Sequence, residues 1–189
     1  MTARRLSSAD RRAQLVGIAR GIIANEGSDA LTLTHLAGRA GVSKPVVYDH
    51  FPSRSALLLS LYQDFDHRHI SDLCATLAQT PAELRGRVEA IATAHIGCVL
   101  SQGVELSGVL AALVGSPDLE KMRRESERRY IDVCQQAIQS ADGAVLGEAA
   151  AIAFLGAADA LGAAASRGTI SPELARSTIA TVLLGLVDS

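Results

Sequence analysis

Residues 32–54 (TLTHLAGRAGVSKPVVYDHFPSR) constrain the fold more than any other stretch. The capping and turn residues in this stretch predict two short helices, a tight turn between them and the start of a third helix. Thr32 suits a helix N-cap, and Gly41 suits a turn that needs a left-handed residue. Ser43 then caps the second short helix, and Pro45 falls in its first turn, where a missing N–H costs nothing. A small helix anchored by its inner face has the shape that enters the DNA major groove.

The helical repeat separates the two faces of this second short helix. Val47 and Phe51 lie within about 40° of each other around the axis, so both are predicted to point inward. The opposite side of the helix is then directed outward. It consists of Lys44, Pro45, Val46, Tyr48 and Asp49.

Composition favours helices throughout the chain. Of the 189 residues, 48% are hydrophobic but only 3% are aromatic, so the core must consist of Ala, Leu, Val and Ile. Hydroxyl residues followed by proline at Thr80, Ser116 and Ser171 mark three helix starts, and Thr80 with Glu83 resembles a capping box. We predict an all-α fold of about nine helices, including separate helices at about 81–102 and 104–115 and final helices at about 145–166 and 172–187.

Charge is distributed unevenly along the chain. Residues 1–50 carry seven basic and four acidic side chains, a net +3, while the rest of the chain carries −5. This asymmetry predicts that a polyanion binds at the N-terminal end. Arginines of the N-terminal arm are expected to add nonspecific attraction; they are Arg4, Arg5, Arg11 and Arg12.

Other classes of protein receive little support. Three widely spaced cysteines lack metal-ligand spacing, and no secretory signal precedes the first helix, so we expect a cytoplasmic protein without metal or cofactor. The apolar stretch 144–165 contains Glu148 and Asp159 and is shorter between them than the about 20 residues of a bilayer span. No nucleophile–base or phosphate-loop spacing indicates an enzyme.

Over residues 10–60 the sequence resembles the tetracycline-repressor (TetR) family. The resemblance lies in the spacing of the first three helices, the GVS turn, Val47-Tyr48-x-x-Phe51 and Arg54-x-x-Leu57-Leu58. It implies an all-helical homodimeric transcription regulator with an N-terminal three-helix helix-turn-helix head and a C-terminal helical ligand-binding and dimerisation domain. We place these domains at residues 1–53 and 54–189.

The resemblance also assigns the DNA-contacting positions. Thr32 and Thr34 match positions at the start of the second helix, and Arg54 matches a basic position at the start of the fourth. Pro45-Val46 replaces a frequent Gly-Thr, so Val46 offers a methyl contact in place of a hydroxyl. The expected DNA-binding residues are Thr32, Thr34, Ser43, Lys44, Pro45, Val46, Tyr48, Asp49, His50 and Arg54.

Several of these residues leave alternatives open. Lys44 can donate to guanine or to phosphate, and Asp49 can accept from cytosine N4 or orient a basic neighbour. Tyr48 is expected to donate its hydroxyl to a phosphate. His50 either contacts phosphate or packs against the core, and Arg54 is expected to reinforce a phosphate at a helix N-terminus.

In the C-terminal part, polar side chains on apolar stripes are the ligand candidates. The helical repeat carries His95 and Gln102 into the interior, where each needs a hydrogen-bond partner; a satisfied core histidine is the alternative. The family implies a ligand cavity around helices four to seven, and few aromatics predict aliphatic walls. The expected ligand-binding residues are Tyr62, Phe65, His69, His95, Val99, Gln102 and Tyr130.

The combined hypothesis is a homodimeric repressor that binds palindromic double-stranded operator DNA and is released by an unknown small-molecule effector. The family implies dimerisation through the last two helices, and the small residues of 145–166 allow close helix packing. An activator and a thiol-based redox-responsive regulator using Cys74, Cys98 or Cys134 are the alternatives with the same head. A structural adaptor that does not bind DNA is a third.

Overall fold

The computed structural model describes residues 6–187, apart from the side chains of residues 102–105, and this part of the chain contains helices joined by turns and no strand. The N-terminal arm residues Arg4 and Arg5 and the side chain of Gln102 lie outside the described residues. The α-helices are α1 (Ser8–Glu26), α2 (Leu33–Ala40), α3 (Lys44–His50), α4 (Arg54–Ala78), α5 (Leu84–Ala112), α6 (Pro117–Asp142), α7 (Glu148–Ser166) and α8 (Pro172–Val187). A short 3-10 helix spans Ser28–Ala30.

Side-chain caps begin three helices of the N-terminal region, α1, α2 and α4. Asp10 N–H donates to Ser7 Oγ at 3.1 Å and His35 N–H donates to Thr32 Oγ1 at 3.0 Å. Ser53 caps α4 in the same way, through the amide of Ala56. Each bond satisfies an amide that lacks a partner within its helix, so these helix starts are fixed by local sequence.

One helix start predicted between residues 81 and 115 was wrong, and one predicted boundary is present. Thr80 does not form a capping box, because its hydroxyl donates to the Thr76 carbonyl at 2.9 Å and α5 begins only at Leu84. Helix α5 extends to Ala112, but it is bent between Leu84–Ser101 and Leu106–Ala112, where we predicted the boundary between two helices. A glycine lowers helix propensity by about 1 kcal/mol, so Gly103 suits a bend at this place. With the 3-10 helix, the described residues form nine helices.

The chain forms two compact units. The first contains the chain up to Phe65 together with Val104–Glu120, and the second contains Asp66–Gly103 and the chain from Lys121 onward. These are units of packing, and the functional boundary between residues 53 and 54 stays a prediction.

Each unit has its own apolar core. In the first, α1 packs against α2 and α2 packs against α3, and the fully buried side chains include Leu15, Ile22, Leu36 and Phe51. In the second, α7 packs against α8, and aliphatic side chains dominate. Phe154 is its largest fully buried side chain.

Candidate nucleic-acid interface

The turn between α2 and α3 has the geometry that its glycine predicts. Gly41 has φ 64° and ψ 32°, which is left-handed backbone that a side chain disfavours. The amide of Val42 donates to the Ala37 carbonyl at 3.1 Å across this turn. A bond of this kind satisfies one of the last carbonyls of α2, which lack partners within the helix. The entry of the chain into α3 is therefore fixed by backbone bonds.

Helix α3 is anchored by one face and exposed on the other. Val47 and Phe51 have 0% exposure, which confirms the predicted inner face. Lys44, Pro45 and Asp49 are exposed, and Tyr48, a large aromatic residue, is 50% exposed. The outer face of α3 therefore carries a cation, a carboxylate and a half-exposed phenol ring.

The remaining predicted contact residues of α2 and α3 surround this face. Thr32, Thr34 and Ser43 are exposed, whereas Val46 and His50 are half-buried. Ser43 occupies the N-cap position of α3, but its hydroxyl makes no capping hydrogen bond. The sequence therefore located the outward face correctly, and the DNA contacts themselves stay a prediction.

Arg54 is bound to the protein backbone. Its Nε donates to the Leu31 carbonyl at 2.8 Å and one terminal nitrogen donates to the Ser28 carbonyl at 2.7 Å. A guanidinium has five N–H groups, so these two bonds orient it toward the chain that precedes α2. In this position Arg54 holds the segment that carries Thr32.

Arg12 is a structural residue that sequence reasoning assigned to nonspecific attraction. Its guanidinium donates to the His50 carbonyl at 3.1 Å and to Ser60 Oγ at 2.6 Å, and it lies 4.7 Å from the centre of the Phe51 ring. It therefore joins α1 to the end of α3. Its partners are 38 and 48 residues away, so no local pattern could reveal them.

A second ionic contact joins α1 to α2. Arg39 donates to Glu26 Oε1 at 2.8 Å, and His35 Nε2 lies 3.1 Å from Glu26 Oε2. All three side chains are partly exposed, so each of these two contacts contributes on the order of 0–1 kcal/mol to the free energy of unfolding. Its effect is to orient the C-terminal end of α1 beside α2.

The predicted ligand-binding residues fall into both units. Tyr62 is buried and Phe65 half-buried in the first unit, with ring centres 6.4 Å apart. His69, His95, Val99 and Tyr130 belong to the second unit. The side chain of Gln102 is not described.

Within the second unit, His69, His95 and Tyr130 form one group, which we call the imidazole cluster. The ring centres of His69 and Tyr130 are 5.0 Å apart and stacked, and those of His69 and His95 are 5.8 Å apart. Tyr130 Oη lies 3.4 Å from His95 Nδ1. Three of the predicted residues, from α4, α5 and α6, are therefore in mutual contact.

Two residues of α7 complete the cluster, and the sequence did not single them out. Phe154 stacks on Tyr130 with ring centres 6.2 Å apart. Gly162 is buried, and a Cβ added there would lie 3.2 Å from Val99 Cγ2 and 3.6 Å from His95 Nε2. That His95 nitrogen is buried and makes no hydrogen bond of normal geometry among the described residues. The small residue on α7 thus faces a buried polar atom.

Burial keeps both imidazoles neutral. It lowers the pKa of His69 to about 4, helped by the neighbouring His95 and opposed by Asp66 and Asp72. Burial also lowers the pKa of His95, while Asp159 and the backbone of Ala158 act in the opposite direction. Burial raises the pKa of Tyr130 well above its usual value. At neutral pH the cluster therefore presents uncharged hydrogen-bonding groups.

Beside the imidazole cluster, a buried carboxylate joins α4 to α6. Asp66 has 2% exposure and accepts hydrogen bonds from Ser126 and from Arg129. A buried charge is tolerated where it is paired and hydrogen-bonded. No local pattern indicated this contact, because the partners of Asp66 are 60 and 63 residues away.

Two of the three cysteines are unsuited to thiol chemistry. Burial raises the pKa of Cys98 and of Cys134 to about 12 each, so neither forms a thiolate near neutral pH. Cys74 is exposed. Among the residues described here, no group of three or more His, Cys, Asp or Glu side chains is arranged to hold a metal ion.

Helix α7 is long and apolar enough, by length and composition, to cross a membrane. Its apolar stretch has a mean hydropathy of 1.5, and 28% of that stretch is buried within the chain. A single such helix is weak evidence for a membrane span, since buried and interface helices have the same composition. Asp159 also lies within it.

Comparison with known proteins agrees with this geometry. Residues 16–61 match the family of bacterial regulatory proteins described as the tetR family. The HTH-type transcriptional activator FasR of Mycolicibacterium smegmatis is 36% identical over 107 residues, which cover 54% of this chain and 47% of that protein. The matching region therefore spans about half the length of this relative.

Solved structures share the fold over almost the whole chain. A transcriptional regulator of the TetR/AcrR family from Thermobifida fusca has a TM-score of 0.68 at 23% identity, covering 93% of this chain and 97% of that one. A TetR-like transcriptional regulator from Rhodococcus sp. RHA1 has a TM-score of 0.68 at 21% identity, covering 95% and 97%. A protein from Saccharomonospora viridis, described as a transcriptional regulator and solved in complex with choline, has a TM-score of 0.74 at 16% identity, covering 93% and 96%.

At these identities the structures establish the fold alone, and the family model and the relative establish kinship. The all-α fold with a three-helix N-terminal region is as the sequence predicted. The N-terminal region of the chain, residues 16–61, belongs to the tetR family of bacterial regulatory proteins.

Proposed function

We propose that the protein is a cytoplasmic transcriptional regulator that binds double-stranded operator DNA through α2 and α3. The observation that carries this proposal is the contrast across α3. Val47 and Phe51 are fully buried, while Lys44 and Tyr48 are exposed on the opposite side. An anchored helix with this outer face is suited to lie in the major groove.

The proposed contacts divide between bases and backbone. Lys44, in the first turn of α3, reaches guanine or a nearby phosphate, and Val46 offers a methyl contact to thymine. Tyr48 donates its hydroxyl to a phosphate, and Asp49 accepts from cytosine or orients a basic neighbour. Phosphate contacts complete the interface through Thr32, Thr34, Ser43 and His50. Arg54 contributes indirectly, by holding the carbonyls of Ser28 and Leu31.

A homodimer through α7 and α8 would present two such heads to a palindromic operator. The two helices pack together, yet Ile152 on α7 is 66% exposed and Leu174 on α8 is 54% exposed. Apolar side chains left open on paired helices favour cover by a second copy. Ile152→Asp should shift the protein to monomer in sedimentation, while Val114→Asp, at an exposed valine outside these helices, should not.

We further propose that a small molecule regulates DNA binding through the imidazole cluster. Neutral imidazoles and a phenol offer hydrogen bonds without charge, and the Saccharomonospora viridis protein of the same fold was solved with a small molecule bound. An effector that favours one arrangement of the heads must change DNA affinity by the same factor by which DNA changes effector affinity. Repression relieved by the effector is the first form of this proposal.

Activation is the second form, because the Mycolicibacterium smegmatis relative is named an activator. A transcription assay with the selected operator upstream of a promoter separates the two. A redox-responsive regulator receives less support, since Cys98 and Cys134 are protonated and buried.

The DNA-binding proposal is tested by selecting bound sequences from random duplex DNA with the purified protein. Lys44→Ala is then compared with Lys121→Ala, which removes the same charge from an exposed position on α6. If Lys44 contacts phosphate, its loss should reduce the salt slope of binding by about 1, and if it contacts guanine, the base preference should relax. Selection of no preferred sequence, or equal effects of the two alanines, would refute the assigned face.

A further inference from the structure

The first compact unit includes a segment of α5 that packs against the 3-10 helix before α2. A Cβ built on Gly108 would lie 3.2 Å from Ser28 Cβ and 3.3 Å from Ser28 Oγ, with Ile23 Cγ2 next at 3.9 Å. The side chains that follow, Val109 and Leu113, are each 3% exposed. A side chain at position 108 would therefore crowd Ser28 by a few tenths of an ångström.

The same turn is held by hydrogen bonds to its main chain. Arg54 donates to the Ser28 carbonyl at 2.7 Å, and the Leu31 amide donates to that carbonyl at 3.2 Å. Arg54 also donates to the Leu31 carbonyl. Ser28 is thus held through its carbonyl by Arg54 of α4 while its side chain faces α5, so a shift of the turn strains the two bonds from Arg54.

The turn leads directly into the proposed DNA-contacting surface. Leu31 is fully buried, and the next residue, Thr32, caps α2 through the His35 amide. Thr32 and Thr34 are the proposed contacts at this end of α2. A shift of a few tenths of an ångström at Ser28 is therefore passed to the start of α2 through three residues of ordered chain.

We propose that Gly108 is a positioning residue whose contact with Ser28 lets the 106–112 segment of α5 set the place of α2 on DNA. This inference rests on the proposed DNA-binding function and assigns a regulatory contact to it. Movement of the segment toward the turn would displace α2. The absence of a side chain at position 108 leaves room for Ser28. The contact is steric, so its strength depends on the size of the two facing residues.

The test adds and removes single carbons at this contact. Gly108→Ala should weaken binding to the selected operator about tenfold, within the range measured for residues that couple sites, and leave affinity for a scrambled duplex unchanged. Gly97→Ala is the control, because Gly97 lies on the same helix with nothing within 4 Å of its added Cβ. A merely destabilised protein would lose both affinities together.

Rescue identifies the facing atom. Ser28→Gly removes both atoms that a Cβ at 108 would meet, so the double variant Gly108→Ala/Ser28→Gly should bind the operator like Ser28→Gly alone. Ser28→Ala keeps the nearer atom, at 3.2 Å, and should not rescue. Wild-type affinity of Gly108→Ala, or equal rescue by both serine variants, would overturn the proposal.

Failure of the proposed function has a different signature. If the wild-type protein selects no DNA sequence, the function is rejected, and the contact is judged by amide hydrogen exchange over residues 28–36. Faster exchange in Gly108→Ala than in Gly97→Ala then supports the steric contact between residues 108 and 28. Unchanged exchange rejects it.

Discussion

The head, which we define as α1–α3 with the start of α4, and the second compact unit differ in the polar side chains that they bury. In the head, arginines fix the path of the chain by donating to backbone carbonyls, as Arg12 does to His50 and Arg54 does to Leu31, and no titratable side chain is buried among its described residues. In the second unit, buried titratable side chains contact other side chains, as Asp66 does with Arg129 and His95 does with Tyr130. A guanidinium bound to a carbonyl does not titrate at ordinary pH, whereas imidazoles do.

This difference suits the proposed roles of the two regions. Bonds to the backbone fix the path of the chain and therefore the place of α3, whichever side chains point outward. Contacts between side chains can be exchanged for a ligand or a proton without unwinding a helix. The internal structure of the head is accordingly expected to stay unchanged under conditions that rearrange the second unit.

The largest test removes the anchor of α3. Phe51→Ala deletes a fully buried ring beneath the Arg12 guanidinium and should lower the free energy of unfolding by about 3–5 kcal/mol. Tyr48→Ala removes an exposed ring from the same helix and should change it by less than about 0.5 kcal/mol. Urea unfolding followed by circular dichroism measures both. Similar values for the two alanines would contradict the anchored geometry of α3.

Acid should destabilise the second unit through the imidazole cluster. Unfolded His69 binds a proton near pH 6.5 and the folded residue only near pH 4, so its contribution to stability is present above 6.5 and is lost as the pH falls toward 4. We expect a loss of about 2 kcal/mol from His69 between pH 7 and pH 5. His95 adds a loss of the same sign.

Urea unfolding at pH 7 and pH 5 checks this loss against a His69→Gln variant, which lacks the titrating ring. The variant should lose less stability between the two pH values than the wild-type protein. Equal losses would show that His69 is not protonated selectively in the unfolded chain.

What the sequence could predict follows the range of each interaction. The caps at Thr32, Ser116 and Ser171 act within three residues, and these three helix starts were predicted and are confirmed. The buried position of His95 followed from helical periodicity and is confirmed by its 5% exposure. Interactions between residues that are close in sequence can therefore be predicted from the sequence.

Long-range contacts were not predictable in the same way. Arg12 and Arg54 looked like surface cations, because nothing nearby in sequence shows that they reach carbonyls 23 to 38 residues away. The break predicted near Gly103 from local sequence, by contrast, is present as a bend of α5 between Ser101 and Leu106. The sequence shows which residues can form such hydrogen bonds but not which distant residues they contact.

A smaller effect is expected at the buried carboxylate. Asp66→Ala removes the partner of Ser126 and Arg129, and it should cost about 1–2 kcal/mol, less than a fully buried pair because Arg129 can turn to water. Asp72→Ala, at an exposed acid on the same helix, is the matched control and should be nearly neutral. Chemical denaturation of the two variants compares them; equal costs would mean that the Asp66 contacts do not stabilise the unit.

The smallest test makes one substitution in each region and expects opposite outcomes. Gly17 is exposed on α1 with nothing within 4 Å of an added Cβ, so Gly17→Ala should raise stability by about 0.5–1 kcal/mol. Gly162→Ala places its Cβ 3.2 Å from Val99 Cγ2, so the same gain in helix propensity is offset by crowding. Adding Val99→Ala should recover part of the gain at Gly162 and none at Gly17. If Gly162→Ala alone stabilised the protein as much as Gly17→Ala does, α5 and α7 would have to be more loosely packed than the head.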